Sequence, residues 1–202
     1  MSLKHYLFLG DSITDAGHLW EADPRMLGDG FIRKISESTA FSSAHLVNRG
    51  QDGFTSAALL RLVRRMTDLD TFTTITVLIG VNDLPVAFYT DPTWIRTTFA
   101  PSVQALFEFL TSAGSKKLLI MEPFLFTPPD SHSHLLPLLL QEQQILQAYA
   151  AACDAVYIPL QEALQAAIDR LGTAAVTTDG IHLTPAGNQI LADAWIRSCL
   201  RE

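Results

Sequence analysis

The chain has 202 residues, a length typical of one domain, and its 48% hydrophobic content can fill a sizeable core. Its 14 basic and 21 acidic residues give a formal net charge of −7 without any block of like charge, which argues against a nucleic-acid partner. No stretch approaches the roughly 20 apolar residues of a membrane span, and the apolar run at residues 6–9 is too short for a signal peptide. We therefore expect one cytoplasmic domain over residues 1–202.

Short β-rich apolar runs alternate with longer amphipathic runs, which favours a parallel sheet with crossover helices on both faces. The predicted fold is α/β, a single three-layer α/β/α domain with a five-stranded parallel sheet. The predicted strands are 6–9, 44–48, 73–79, 118–121 and 155–158. The predicted helices are 30–38, 55–66, 91–113, 138–152, 161–171 and 185–200, with a proline-rich loop at 124–137. Ligands bind such sheets at the carboxyl ends of the strands, where several polar motifs of this chain fall.

The first predicted strand leads into Gly10-Asp11-Ser12, which would place a serine at that edge. Gly10 has no Cβ, so the backbone can turn sharply there. A serine hydroxyl becomes a nucleophile near neutral pH when a base lies within hydrogen-bond reach and a third group orients that base. Asp and Ser are also common helix caps, and the motif taken alone is more simply a cap. Ser12 is therefore a candidate nucleophile that depends on its partners.

A candidate base and its orienting acid lie near the C-terminus, in Asp179-Gly180-Ile181-His182. The three-residue spacing lets the carboxylate of Asp179 reach one ring nitrogen of His182 while the other nitrogen faces outward. That outward nitrogen could accept the proton of Ser12. The alternative is an ordinary turn with an exposed histidine.

Two further motifs follow predicted strands, and they supply candidate donors to an oxyanion. The first motif is Asn48-Arg49-Gly50, and the amide of its glycine can approach a ligand closely. The second is Gly80-Val81-Asn82, and the side chain of its asparagine offers a neutral N–H that does not titrate. Each motif could also be a simple turn. A nucleophile, an acid–base pair and two donors together are what acyl transfer through a serine ester requires.

The loop after the fourth strand could form part of a substrate pocket. Phe124 and Phe126 could make an apolar wall for an acyl group or could pack the loop onto the core, and both interpretations stay open. Asp11 and Ile181, which flank the candidate catalytic residues, complete the possible pocket. The loop histidines with Asp130 lack the further ligands of a metal site, so no metal site is predicted.

The four motifs resemble, in order, the sequence blocks of the GDSL/SGNH hydrolases, a family of esterases, lipases and thioesterases. The first block is Gly10-Asp11-Ser12-Ile13-Thr14, with isoleucine where the family name records leucine. The other blocks are residues 48–55, 80–83 and 179–187. The resemblance implies a flavodoxin-like α/β/α fold without metal or organic cofactor.

The resemblance also implies roles for individual residues. Ser12 would be the nucleophile, Asp179 and His182 would complete the triad, and the amide of Ser12 would join Gly50 and Asn82 in the oxyanion hole. The expected function is hydrolysis of a small-molecule carboxylic ester with a short to medium acyl group, through an acyl-Ser12 intermediate. An acyl-CoA thioesterase or a carbohydrate deacetylase would use the same triad, and a catalytically silent binding domain would keep the fold without turnover. The oligomeric state is not predicted.

Overall fold

Five strands form one parallel sheet in the order β2-β1-β3-β4-β5. They are β1 (His5–Gly10), β2 (His45–Gly50), β3 (Thr74–Leu78), β4 (Lys117–Met121) and β5 (Val156–Ile158). The computed structural model describes residues 4–18, 23, 25–113, 117–127 and 130–201. All five predicted strands are present, and the predicted three-layer α/β fold is confirmed.

The register brings the ends of three strands together. Gly10 at the end of β1 lies beside Gly50 of β2 and Leu78 of β3. The segments that follow these strands therefore start from one edge of the sheet, as expected for parallel strands. This edge carries Ser12, Gly50 and Asn82.

Helices cover both faces of the sheet. They are α1 (Ser12–Asp15), α2 (Phe31–Glu37), α3 (Ser56–Val63), α4 (Asp83–Tyr89), α5 (Ala100–Ser112), α6 (Leu136–Ala152), α7 (Gln161–Leu171), α8 (Thr173–Val176) and α9 (Pro185–Leu200). The predicted bounds of α7 and α9 are those observed. The helices α1, α4 and α8 were not predicted, because each has at most two turns and shows too little periodicity to detect.

The predicted long helix at 91–113 is wrong in its first part. A π-helical turn, Ile95–Phe99, precedes α5. Pro101 has no backbone N–H and cannot donate to the carbonyl of Thr97, so the regular ladder of α-helical bonds is interrupted at that point. Residues 91–93 lie outside any helix.

The predicted loop at 124–137 is shorter than expected. Residues 130–135 form a 3₁₀ helix that leads directly into α6, which begins at Leu136. Pro137 sits in the first turn of α6, where the missing N–H costs nothing. Pro128 and Pro129 lie outside the described residues.

The side chains of β1 alternate between two cores. Tyr6 and Phe8 pack on one face of the sheet with Trp195 of α9, and Leu7 and Leu9 pack on the other with Leu106 of α5. This alternation is the period-2 pattern of a strand buried on both faces. Within the described part of the chain, no helix is long and apolar enough to cross a bilayer.

Candidate active site

Ser12 is the first residue of α1, directly after the turn that ends β1. The side chain of Asp11 caps this helix, because its Oδ1 accepts a hydrogen bond from the backbone N–H of Ile13 at 3.1 Å. Gly10 lets the chain pass between β3 and α1, since a Cβ there would lie 2.3 Å from both the carbonyl oxygen of Leu78 and Oγ1 of Thr14. The turn therefore presents the hydroxyl of Ser12 at the carboxyl edge of the sheet.

The side chains of Ser12, His182 and Asp179 form a continuous hydrogen-bonded chain. Oγ of Ser12 lies 3.0 Å from Nε2 of His182, and Nδ1 of His182 lies 2.6 Å from Oδ2 of Asp179. Because a carboxylate accepts, Nδ1 carries the proton and Nε2 is left to accept from the serine. The side chains of Asp179 and His182 are each 49% exposed, so the chain of bonds opens to solvent.

The carboxylate of Asp179 is held by the backbone as well as by the imidazole. Its Oδ1 accepts from the N–H groups of Ile181 at 2.9 Å and His182 at 2.7 Å. Partial burial raises the pKa of Asp179, but the hydrogen bonds from the His182 ring and from these two amides outweigh it and hold the pKa below the usual value. Asp179 is thus a stable anion beside the histidine.

The turn that carries this pair is tied to the segment after β4. The backbone N–H of Phe126 donates to the carbonyl of Gly180 at 2.8 Å, and the carbonyl of Phe126 accepts from Nδ1 of His132 at 3.2 Å. Gly180 has a φ of +90°, and a Cβ there would lie 2.5 Å from the oxygen of Phe126. A glycine is required at this position both by conformation and by space.

Asn82 stands at the start of α4, and its side-chain amide is oriented by a single backbone carbonyl. Nδ2 donates one hydrogen bond to the oxygen of Phe54 at 3.0 Å. An amide nitrogen has two hydrogens, so one donor remains for a ligand. The turn below it is closed by a 2.7 Å bond from the N–H of Asp83 to the carbonyl of Gly80.

Asp83 is fully buried and anchors the same turn to two other elements. Its carboxylate accepts from the N–H and the hydroxyl of Ser56, each at 2.8 Å, and from Nε1 of Trp94 at 2.7 Å. Burial raises the pKa of Asp83, and these three bonds oppose the shift. Sequence reasoning missed this network, although an aspartate directly after Asn82 was part of the recognised motif.

Gly50, the predicted oxyanion donor, lies against α1, and its amide already has an acceptor. Its N–H donates to Oδ1 of the buried Asn48 at 2.8 Å, and a Cβ on Gly50 would lie 2.3 Å from the nitrogen of Asp15. The orientation of Asn48 is fixed, since its Nδ2 donates to the carbonyls of Thr14, Asp15 and Leu27 at 2.8, 3.2 and 3.0 Å. A ligand would have to share the Gly50 amide with Asn48.

Asp11 is buried beside Ser12 rather than open to a ligand. Burial raises the pKa of its carboxyl to about 7, with a further increase from the nearby Asp83 and opposing effects from the Ile13 amide and from His182. The side chain is 1% exposed. Its place in the structure is that of a helix cap and a titrating neighbour of the histidine.

The predicted apolar wall is also not on the surface. Phe124 and Phe126 are 0% and 1% exposed, stack with their ring centroids 5.9 Å apart, and belong to the core on one face of the sheet. Of the two interpretations left open by the sequence, the burial of both rings favours packing onto the core over an open pocket wall. Ile181 is partly buried and packs against the same core. The described residues hold no group of three or more potential metal ligands.

Comparison with known proteins identifies the family and the fold of the chain. The family model for the GDSL-like Lipase/Acylhydrolase family matches residues 8–190. No curated protein matches the chain significantly. The model superposes on a GDSL-like lipase from Parabacteroides merdae with a TM-score of 0.83 at 21% identity, covering 98% of this chain and 97% of that one.

Two further solved structures are similar over the same extent. Axe2, an acetylxylan esterase from Geobacillus stearothermophilus, has a TM-score of 0.83 at 22% identity, with 98% and 95% of the two chains covered. LAE5, an alpha/beta hydrolase enzyme from the metagenome of Lake Arreo, has a TM-score of 0.82 at 20% identity, with 98% and 97% covered. At these identities the likeness shows a shared fold.

Proposed function

The chain belongs to the GDSL-like lipase/acylhydrolase family and is a carboxylic ester hydrolase, and we propose that it works through an acyl-Ser12 intermediate. The observation that carries the proposal is the 3.0 Å contact between Oγ of Ser12 and Nε2 of His182, continued by the 2.6 Å bond to Asp179. A serine, a histidine and an acid in this order are the groups that activate an alcohol for attack on a carbonyl.

In the first half of the reaction, His182 takes the proton of Ser12 as its oxygen bonds to the ester carbonyl carbon. The negative charge that forms on the carbonyl oxygen is stabilised by N–H donors. The free hydrogen on Nδ2 of Asn82 is one donor, and the backbone N–H of Ser12, for which no acceptor is found among the described residues, is the second. The Gly50 amide joins them by sharing its hydrogen with Asn48.

The tetrahedral intermediate then collapses. The bond to the leaving alcohol breaks as His182 returns its proton to that oxygen, which leaves the acyl group on Ser12. In the second half, His182 deprotonates a water that attacks the acyl carbon, and Ser12 recovers its proton as the carboxylic acid leaves. The carboxylate of Asp179 stabilises the imidazolium formed in both halves.

The openness of the site supports a short acyl group. The side chains of Asp179 and His182 are 49% exposed, and the two phenylalanines after β4 face the core instead of forming a deep acyl tunnel. An acetyl group needs little burial, while an open rim leaves room for a bulky alcohol. We therefore place short esters first and include acetylated sugars such as acetylated xylan as the second substrate class, which the similarity to the acetylxylan esterase Axe2 supports.

The test is hydrolysis of p-nitrophenyl esters from acetate to long chains, together with acetylated xylan and an acyl-CoA, by the native protein and by Ser12→Ala. We expect a preference for acetate and a loss of activity in the variant. A serine-directed phosphonate should add its mass to the native protein once, on the peptide that contains Ser12, and should leave Ser12→Ala unmodified. Turnover that survives in Ser12→Ala, or the lack of turnover of every ester by the folded native protein, would contradict the mechanism and favour the silent binding domain.

A further inference from the structure

Glu142 is a buried carboxyl for which the reaction above has no use. It lies in the core-facing row of α6, which otherwise consists of Leu139, Leu146 and Ala150. Its side chain is 0% exposed, and neither carboxyl oxygen has a hydrogen-bond partner. An ionised carboxylate is not tolerated in such surroundings, so Glu142 is present as the neutral acid.

Glu142 touches the turn that carries the candidate oxyanion donor. Gly80 ends the segment after β3 with a φ of +140°, and a Cβ on Gly80 would lie 2.7 Å from Oε2 of Glu142. The glutamate therefore occupies the space that a side chain at position 80 would need. Two residues later stands Asn82, and the N–H of Asp83 closes the turn on the carbonyl of Gly80.

The neighbouring Gln143 shows that this stretch of α6 supports the carboxyl edge of the sheet. Its Nε2 donates at 2.9 Å to the carbonyl of Pro123, the second residue after β4. Pro123 is also the next nearest neighbour of Gly80, since its Cγ would lie 3.3 Å from a Cβ there. Adjacent residues of one helix thus brace the ends of two adjacent strands.

Glu142 and Asp83 have opposite surroundings although they are buried close to each other. Asp83 accepts hydrogen bonds from three donors and is suited to carry a charge, whereas Glu142 has none. Burial raises the pKa of Glu142 well above its usual value, and the nearby Asp83 and Asp11 raise it further. A charged Asp83 therefore favours the neutral form of Glu142, since a nearby like charge disfavours ionisation.

Other titratable groups on the elements packed against α6 are engaged elsewhere. Glu108 of α5 is exposed and accepts from Gln104, Tyr157 of β5 donates to Glu122, and His134 pairs with Tyr89. The remaining ones are exposed or partly exposed: Arg96, Asp130 and His132. The carboxyls of Asp83 and Asp11 are the groups whose charge acts on Glu142.

We propose that Glu142 is a positioning residue for the oxyanion turn: as a neutral acid packed against Gly80 it holds Asn82 where its free N–H meets the reacting carbonyl oxygen. This inference rests on the proposed function, because it assigns Asn82 its role there. Ionisation of Glu142 would place a second negative charge beside Asp83 and would push its carboxylate away from the turn. The same contact therefore predicts a loss of activity on the alkaline side.

The experiment compares two substitutions of Glu142 with one control substitution, using p-nitrophenyl acetate. Glu142→Gln keeps the shape of the side chain but has no group that ionises, and Glu142→Ala leaves a void beside Gly80. Glu108→Gln is the matched control at an exposed carboxyl. We expect kcat to fall at least about tenfold in Glu142→Ala with little change in KM. If the Asn82 donor is displaced by a fraction of an ångström, the transition state loses stabilisation while substrate binding hardly changes. Glu142→Gln should stay within about twofold of the native kcat at neutral pH.

The pH profile gives a readout that a purely structural role would not change. The native protein and Glu108→Gln should lose kcat as pH rises into the alkaline range, and Glu142→Gln should keep it. The acid side of the profile should be the same in all three proteins. An alkaline loss that Glu142→Gln retains, or a Glu142→Gln variant as impaired as Glu142→Ala, would overturn the proposal.

A double-mutant cycle with Asn82→Ala tests whether Glu142 acts through Asn82. If it does, Glu142→Ala should cost less than about twofold once Asn82 is already alanine. Full additivity would overturn the positioning role while leaving the proposed function intact, whereas an Asn82→Ala variant with native kcat would remove the oxyanion role on which both depend. If Glu142→Ala does not fold, the cycle is run with Glu142→Gln at alkaline pH. There Glu142→Gln should have a higher kcat than the native protein, and this difference should vanish when Asn82 is alanine in both.

Discussion

Ser12 and His182 are 170 positions apart in the chain, yet Oγ of the serine and Nε2 of the histidine lie 3.0 Å apart. The serine stands at the start of the first helix, and the histidine precedes the last one. Because both segments end at the carboxyl edge of one sheet, a hydrogen bond between them depends on the whole fold being formed. The contact is the geometric basis for the predictions below.

Replacing Asp179 by Asn should lower kcat by at least about 1,000-fold with a small change in KM. The amide cannot accept both from the imidazole and from the two backbone N–H groups as a carboxylate does, and it cannot stabilise the imidazolium. Steady-state kinetics on p-nitrophenyl acetate would measure the effect, with Asp193→Asn, at an exposed position on α9, as the control. A variant within tenfold of the native kcat would contradict the role of Asp179.

Replacing Asn82 by Ala should lower kcat by about 100- to 1,000-fold, the usual effect of removing one oxyanion donor. KM should change little, because the donor is needed mainly in the transition state. Gln189→Ala, an exposed amide on α9, serves as the control. A rise in KM of this size with an unchanged kcat would mean that Asn82 binds the ground state instead.

Replacing Gly50 by Ala should destabilise the fold by more than about 2 kcal/mol, as expected for overpacking against main chain. The new Cβ would lie 2.3 Å from the nitrogen of Asp15 and 2.6 Å from the carbonyl carbon of Thr14, and neither backbone atom can move aside. Gly53→Ala is the matched control, since Gly53 has a φ of +71° but no atom within 4 Å of the added Cβ. We expect it to cost about 1 kcal/mol from backbone strain alone. Urea unfolding of both variants measures the difference, and equal midpoints would refute the steric argument.

Replacing Asp11 by Asn should change how the free energy of unfolding depends on pH. The pKa of Asp11 is about 7 in the folded chain, above the value near 3.8 expected for the unfolded chain, so the folded state binds more protons between these values. Stability from this group is therefore greatest below about pH 4 and is lost as pH rises to about 7, by up to about 4 kcal/mol.

The Asp11→Asn variant should lack this decline, while Asp193→Asn should retain it. Denaturant unfolding at intervals between pH 4 and pH 8 gives both curves. Asparagine can still accept from the N–H of Ile13 through its Oδ1, so the cap of α1 is preserved. Parallel curves for the native protein and Asp11→Asn would show that Asp11 is already ionised in the fold.

Local sequence was sufficient for much of the fold. The strand Thr74–Leu78 was evident from its β-branched residues, and the helix Gln161–Leu171 from its stop at Gly172. The π-helical turn before α5 was not anticipated, because a periodic pattern does not reveal which backbone bond a proline removes. The short helix α4 has too few turns to show periodicity, and it also begins inside a motif that was interpreted only for its chemistry.

The candidate site shows the same division. Residue types and their spacing pointed to Ser12, Asp179, His182 and Asn82, because the chemistry of acyl transfer restricts which side chains can serve. The sequence could not predict three contacts between distant segments. These are the bond from the Gly50 amide to Asn48, the packing of Phe124 and Phe126 into the core, and the contact of Glu142 with Gly80.

The sequence by itself determined the five strands, the longer helices and the chemical groups available for catalysis, since these follow from local pattern and residue type. Only the tertiary structure decided which N–H groups are left free, which rings are buried and which carboxyl lies beside the oxyanion turn. Those properties are distances between atoms far apart in the chain, such as Gly80 and Glu142, and they exist only when the packed sheet and helices bring the segments together.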